Sequence, residues 1–414
     1  MRRVMVAVLL VCASASLSAQ APAKPNRADR ANVERILRTL AHDSMEGRGT
    51  ATPGEERAAR FIASEMKKIG LKPMGDDGFF QRVPMAMLVA NRPGGVRPPA
   101  GCQAGTFKLN GDSVATPLWK CVGAPTPAPG AAPAPAGGTP PTQVTTYRVP
   151  TNPGAAVPRL TMLPSMAVWD TMPAAARRTG HNVVGVIPGS DPKLKNEVIL
   201  VMAHFDHLGI RGPGVNGDSI YNGADDDASG TTAVLEIART LKQGKAPKRT
   251  VVFATMTGEE MGLLGTNYFI ANPPFPLKTM VAGFEIEMIG RPDSLAGGPG
   301  KAWLTGYERS TMGDMLKANG IAIVPDPRPS QNFFQRSDNY AFARMGIVAH
   351  TLSTFNLHTD YHRPSDEADA FDFDHMTAVI KAGAQAVRHL ADGPTPSWHE
   401  GGKPAAPTPR PPAP

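Results

Sequence analysis

Cysteine is scarce, with three in 414 residues, which excludes a disulfide-dense scaffold. Excess charge of one sign is also small: the formal net charge is +7. Lys and Arg are dispersed, and no basic stripe is interleaved with aromatics, so a nucleic-acid partner is not indicated. No segment beyond the N-terminus approaches the roughly 20 apolar residues of a membrane span. Scattered turn residues exclude collagen, coiled coil and helical repeats. Present in excess are glycine and proline, 42 of each, about one and a half times and about twice their usual shares. Hydrophobic residues at 41% exclude a chain disordered throughout. The length accommodates one large domain with appendages or two average ones.

The first residues read MRRVMVAVLLVCASASLSAQAPA. Arg2 and Arg3 form a positive region, residues 4–11 an apolar stretch, and residues 13–21 offer small residues for cleavage. This pattern predicts a secretory signal peptide over 1–21 and a periplasmic or secreted protein. Val11 argues against a lipoprotein anchor at Cys12, which wants a small residue before it. Cleavage leaves Cys102 and Cys121, expected to form one disulfide in an oxidising compartment or to remain two buried thiols.

Helical periodicity marks residues 27–40 and 53–69, so 22–80 is assigned to N-terminal helices. Thr52 and Glu55 form a capping box with Pro53 at the first helical position, and Gly70 stops the helix. Residues 81–180 read as an irregular Pro/Gly/Ala-rich insertion. The tract at 124–142 and the tail over 396–414 are expected to be loosely ordered. From 181 to 395 the pattern changes. Short apolar runs at 183–187, 198–203 and 250–256 read as strands buried on both faces, and 281–287, 302–305 and 346–352 as further strands. They alternate with helices at 231–241, 263–271, 310–318 and 375–390. The expected fold class is α/β: a doubly wound, mainly parallel sheet with helices on both faces. Chemistry in such a sheet belongs outside the carboxyl ends of its strands.

Acidic and imidazole groups fall at those ends. VILVMAHFDHLG delivers His204, with Asp206 as an orienting carboxylate and His207 as a competing ligand. In YNGADDDASG, Asp227 suits a helix cap, whereas Asp225 and Asp226 call for a cation. TGEEMGLLGT supplies Glu259 and Glu260, one for metal and one for a proton; FEIEMIGRPD supplies Glu287; FNLHTDYHRPSDEAD supplies His358 and His362. Imidazole and carboxylate without thiolate suit Zn²⁺, with Mn²⁺ or Co²⁺ as alternatives, and shared carboxylates suit two ions about 3.5–4 Å apart.

The series AHFDHLG, GADDDASG, GEEMGLLGT, EMIGR, RSDNYAF and YHRPSDEAD, over residues 181–390, resembles the M28 family of zinc aminopeptidases, co-catalytic metallopeptidases. LAHDSMEGRGTATPGEERAARFIASEM resembles the entry helices of its secreted bacterial members. The resemblance implies a peptide substrate and two Zn²⁺. One ion would see Asp226, Glu260 and His362; the other would see His204, the bridging Asp226, and Glu287. Glu259 would be the general base, and His362 rather than His358 the closing ligand. Tyr361, beside His362, is either an oxyanion donor or a packed aromatic. A non-proline cis peptide at Asp226–Asp227 is implied too. Two positions depart from the family: Glu287 stands where Asp is usual, and Asn339 where His is usual. Related carboxypeptidases and acylases accept Glu, so an amidohydrolase of that kind is one alternative. A one-zinc glutaminyl cyclase on the same fold is another, and an inactive binding protein a remote third. Side-chain specificity and oligomeric state are not encoded in these motifs.

Overall fold

A computed structural model describes residues 28–89, 158–215 and 217–406, with strand backbone at Cys102–Ala104, Phe107–Leu109, Asp112–Val114, Trp119–Gly123 and Val144–Arg148. The signal-peptide assignment, the 124–142 tract and residues 407–414 lie outside the described residues.

Strand Val198–His204 is buried at every position. Ile199, Val201 and Ala203 face one apolar cluster, and Val198, Leu200 and Met202 face another. The unbroken apolar run follows from that two-sided burial, each large aliphatic side chain stabilising by about 1.5–3 kcal/mol. Four strands run parallel in the order Ala349–Ser353, Met280–Ile286, Val198–His204, Thr250–Met256. Antiparallel neighbours continue the sheet on both sides: Ala302–Leu304 beside Ala349–Ser353, and Arg177–Ile187 beside Thr250–Met256. Helices Arg30–Leu40, Pro53–Ile69, Gly230–Gln243 and Phe373–Asp392 supply one core. Leu264–Ala271 and Asn339–Arg344 contribute Phe269 and Phe342 to the other. The α/β fold with helices on both faces is therefore as expected.

Three expectations change. Residues 81–180 are not wholly irregular: Phe80–Val89 and Pro158–Met162 join the main sheet beyond Arg177–Ile187, burying Val83, Met85, Ala86 and Leu88. Pro84, opposite Thr179, interrupted the strand pattern in the sequence. In the same region, backbone register sets Cys102 directly opposite Cys121. Nor is the tail loose from 396. Ser397 accepts the Thr311 N–H at 2.8 Å, Trp398 donates Nε1–H to the Gly346 carbonyl at 2.9 Å, and its indole packs edge-on to His350. A single half-buried aromatic anchor outweighed the proline-rich composition around it. Finally, the capping box is half formed. Thr52 caps the Glu55 N–H, but the Glu55 carboxylate accepts from Ala51 and from His181 across the fold.

Candidate metal centre

The chemistry-bearing residues gather at the carboxyl end of the parallel strands, although Asp226 comes from the turn before a helix. His204 is the last residue of its strand and pairs in register with Met256, after which a turn delivers Glu259 and Glu260. Glu287 follows strand Met280–Ile286, and His362 lies in the loop after Ala349–Ser353. Asp226 precedes helix Gly230–Gln243. A Cβ on Gly230 would lie 2.0 Å from the Ile286 carbonyl oxygen, so only glycine lets this helix start against the sheet.

The five sequence-assigned side chains converge. His204 Nε2 lies 3.2 Å from Asp226 Oδ1 and 4.0 Å from Glu287 Oε1. His362 Nε2 lies 3.0 Å from Asp226 Oδ2 and 3.2 Å from Glu260 Oε1. Asp226 thus turns one oxygen to each group. His207 is at the second group as well, its Nδ1 2.8 Å from Glu260 Oε1. Ligand atoms of His204, Asp226 and Glu287 all lie within 4.8 Å of one another, as do those of His207, Asp226 and Glu260. His204 Nε2, both His207 ring nitrogens and Glu260 Oε1 are buried without an aligned hydrogen bond. Such atoms are costly unless something else satisfies them. Imidazole and carboxylate donors at these separations fit a pair of divalent cations.

Other neighbours explain the remaining carboxylates. The His204 Nδ1–H donates to the Asp206 carbonyl at 3.1 Å, which leaves Nε2 as the lone-pair nitrogen facing the cluster. The Asp206 carboxylate, expected to orient His204, instead accepts from Thr50 and from the Glu259 backbone N–H. Asp225, expected to call for a cation, accepts from Gly290 N–H and pairs with His358 at 3.0 Å. His358 is thereby drawn away from the cluster, in keeping with the choice of His362. Asp227 caps Gly230 and holds the Met288 N–H. The peptide between Asp226 and Asp227 is cis. Asn339, where His is usual in the resembled family, donates Nδ2–H to the Phe334 and Ala349 carbonyls and is buried.

Burial and charge set the protonation states. Burial opposes charge on His204, yet Asp226, Glu259 and Asp227 raise it well above the usual imidazole value. His362 is carried to about 9, its Asp226 and Glu260 contacts overcoming burial. Against the cost of burial, His204 and His362 hold Asp226 well below the carboxylate range. Glu259 is pushed well above that range by burial. Glu287 rises to about 8, again by burial. Protons on His204 and His362 occupy the places that cations would take, so loading would release protons. Tyr361 stacks on His362 with ring centroids 3.9 Å apart and touches Phe355. It is packed, and burial raises its phenol above the ordinary value.

Two residues without a sequence assignment organise the centre. Arg48, fully buried, donates to the carbonyls of Leu40, Phe205, Asn222 and Gly223 at 2.6–2.7 Å. It ties the His-bearing turn to the Asp-bearing turn. Asp366 accepts the N–H groups of Asp225 and Asp226 at 3.0–3.1 Å. Both lie inside the resembled motifs, but nothing in their spacing announced these roles. A cleft lined by Glu287, Met288, Trp303, Phe333, Arg336 and Tyr361 opens beside the cluster.

Residues 182–387 match the profile of peptidase family M28. Among curated proteins, leucine aminopeptidase 1 of Trichophyton rubrum is 40% identical over 228 residues, covering 51% of this chain and 58% of the relative. Leupeptin-inactivating enzyme 1 of Streptomyces exfoliatus is 33% identical over 117 residues, covering 28% of this chain and 24% of the relative. The chain thus spans less than two thirds of either. Among solved structures, a zinc aminopeptidase from Bacillus subtilis superposes with TM-score 0.54 at 16% identity, covering 89% of this chain and 97% of that one. That likeness establishes the fold.

Proposed function

The chain belongs to peptidase family M28 through residues 182–387, and on that premise we propose that it is an exported di-zinc aminopeptidase. The observation that carries the reading is the convergence of two ligand groups on Asp226 at one sheet edge, with Glu259 beside them. His204, Asp226 and Glu287 would hold one ion; Asp226, Glu260 and His362 the other. The additional methylene of Glu287 does not take its carboxylate out of reach of His204. The second group argues against a one-zinc cyclase. The complete donor set argues against an inactive binding protein. The names of the curated relatives favour removal of N-terminal residues over carboxypeptidase or acylase action. Export rests on the N-terminal pattern of residues 1–21.

When bound, the ions would acidify a water and polarise the scissile carbonyl. The chain supplies the proton handling. The Glu259 backbone is held by its N–H on Asp206, and its carboxylate belongs to neither ligand group. It takes the proton of the attacking water and returns it to the leaving amine. Trp303, Phe333 and Met288 wall the cleft beside Glu287, a space of about 30 Å³ that holds about one water. Tyr361 orders His362 by stacking.

Leucyl-anilide and N-acetyl-leucyl-anilide, assayed with chelator and after zinc is restored, test the reading. Cleavage of the free amine alone, lost with chelator and recovered with zinc, is expected. Chelator-resistant cleavage, or none after zinc is restored, would overturn it; preference for the blocked substrate would shift it to an acylase.

A further inference from the structure

His207 stands outside the five assigned positions, yet its environment is that of a ligand. It follows His204 by three residues, and its backbone N–H is fixed on the Arg48 carbonyl at 3.1 Å. Its side chain is fully buried, and neither ring nitrogen has a hydrogen-bond partner. A Cβ on Gly223 would lie 2.4 Å from the His207 Cγ, so glycine is required for the ring to sit where it does. Gly223 itself is held by Arg48.

The two oxygens that receive His362 also receive His207. His207 Nδ1 lies 2.8 Å from Glu260 Oε1 and 3.8 Å from Asp226 Oδ2. His362 Nε2 lies 3.2 Å and 3.0 Å from the same two atoms. The rings meet edge to face, with centroids 5.6 Å apart. Bonds of about 2.0–2.2 Å to one zinc place neighbouring ligand atoms roughly 2.8–3.6 Å apart, which holds three of these contacts and leaves His207 Nδ1 to Asp226 Oδ2, at 3.8 Å, just beyond it. A hydrogen bond accounts less well for His207: at 2.8 Å its approach to Glu260 is close but misaligned. A buried polar atom left in that condition costs about 1–3 kcal/mol.

We propose that His207 is a direct metal ligand, completing a two-imidazole, two-carboxylate set with Asp226, Glu260 and His362. The inference rests on the two-ion reading above. It makes the two ions unequal: one seen by a single histidine, the other by two.

The test uses full-length protein labelled with ¹⁵N in its histidine rings and loaded with ¹¹³Cd. Three imidazoles coupled to cadmium are expected, two of them to the same ion, with His207→Gln identifying the third signal. That variant should also bind one of the two ions at least about tenfold more weakly, the smallest loss typical even of an outer-shell partner. Two bound ions with only two coupled imidazoles would overturn the role of His207 and leave the two-ion reading standing. A chain that binds no cadmium at all would overturn both.

Discussion

Replacing Arg48 by methionine keeps much of its volume but removes all four of its carbonyl contacts. Gly223 O keeps the Ala228 N–H at 3.2 Å, so the carbonyls of Leu40, Phe205 and Asn222 bear the loss. At about 1–3 kcal/mol for each buried acceptor left unpaired, the change costs about 3–9 kcal/mol, comparable with the whole stability of a typical domain. Loss of the buried charge offsets part of this, since burial already lowers the Arg48 pKa to about 10. Asp227, Asp366, Asp206 and Asp226 oppose that lowering, so removal of the cation leaves these acids less compensated. Arg48→Lys, with three donors on a single nitrogen, should fall between the two. Thermal unfolding and metal titration of both variants are the assays. Melting within a degree or two of wild type, with unchanged metal affinity, would refute the assignment of Arg48 as the tie between the two ligand-bearing turns.

Glu259→Gln should lower kcat by about 10²–10⁴ while metal content stays at the wild-type level; loss of metal instead would make Glu259 a ligand. Glu55 is raised to about 8 by burial, against the lowering effect of its hydrogen bonds. Its folded pKa lies above the ordinary value of 4.5, so its stabilising contribution is full below that value and is lost as pH rises through about 8. Glu55→Gln should cost about 1 kcal/mol near pH 4, where Glu55 is protonated folded and unfolded and one N–H loses its acceptor. Denaturant unfolding should show that gap narrowing or reversing by pH 9; a constant gap would contradict the assignment.

Where one side chain sets its own neighbourhood, the sequence was readable. Buried strands announced themselves because both faces are covered, so Val198–His204 carries no polar residue before its final histidine. His204, Glu260 and Glu287 were readable because each ends or closely follows such a strand; Asp226 and the choice of His362 over His358 came from the motif series. What escaped depends on partners distant in the chain. Phe80–Val89 became a strand only through Arg177–Ile187 on one side and Pro158–Met162 on the other. Asp206 turned from His204 toward Glu259 because the carbonyl, not the carboxylate, reaches the ring. Asp225 found His358 133 residues away. Arg48 hydrogen-bonds to backbone carbonyls, which every residue type carries and which therefore leave no signal in the sequence. Trp398 shows the converse, one aromatic anchoring a segment whose composition pointed to disorder.

Anomalous scattering recorded above and below the zinc edge, on crystals of the protein grown with zinc, tests the centre most directly. Two peaks are expected, about 3.5–4 Å apart and sharing Asp226, with Glu259 touching neither. A single peak, or two that do not meet at Asp226, would contradict the account.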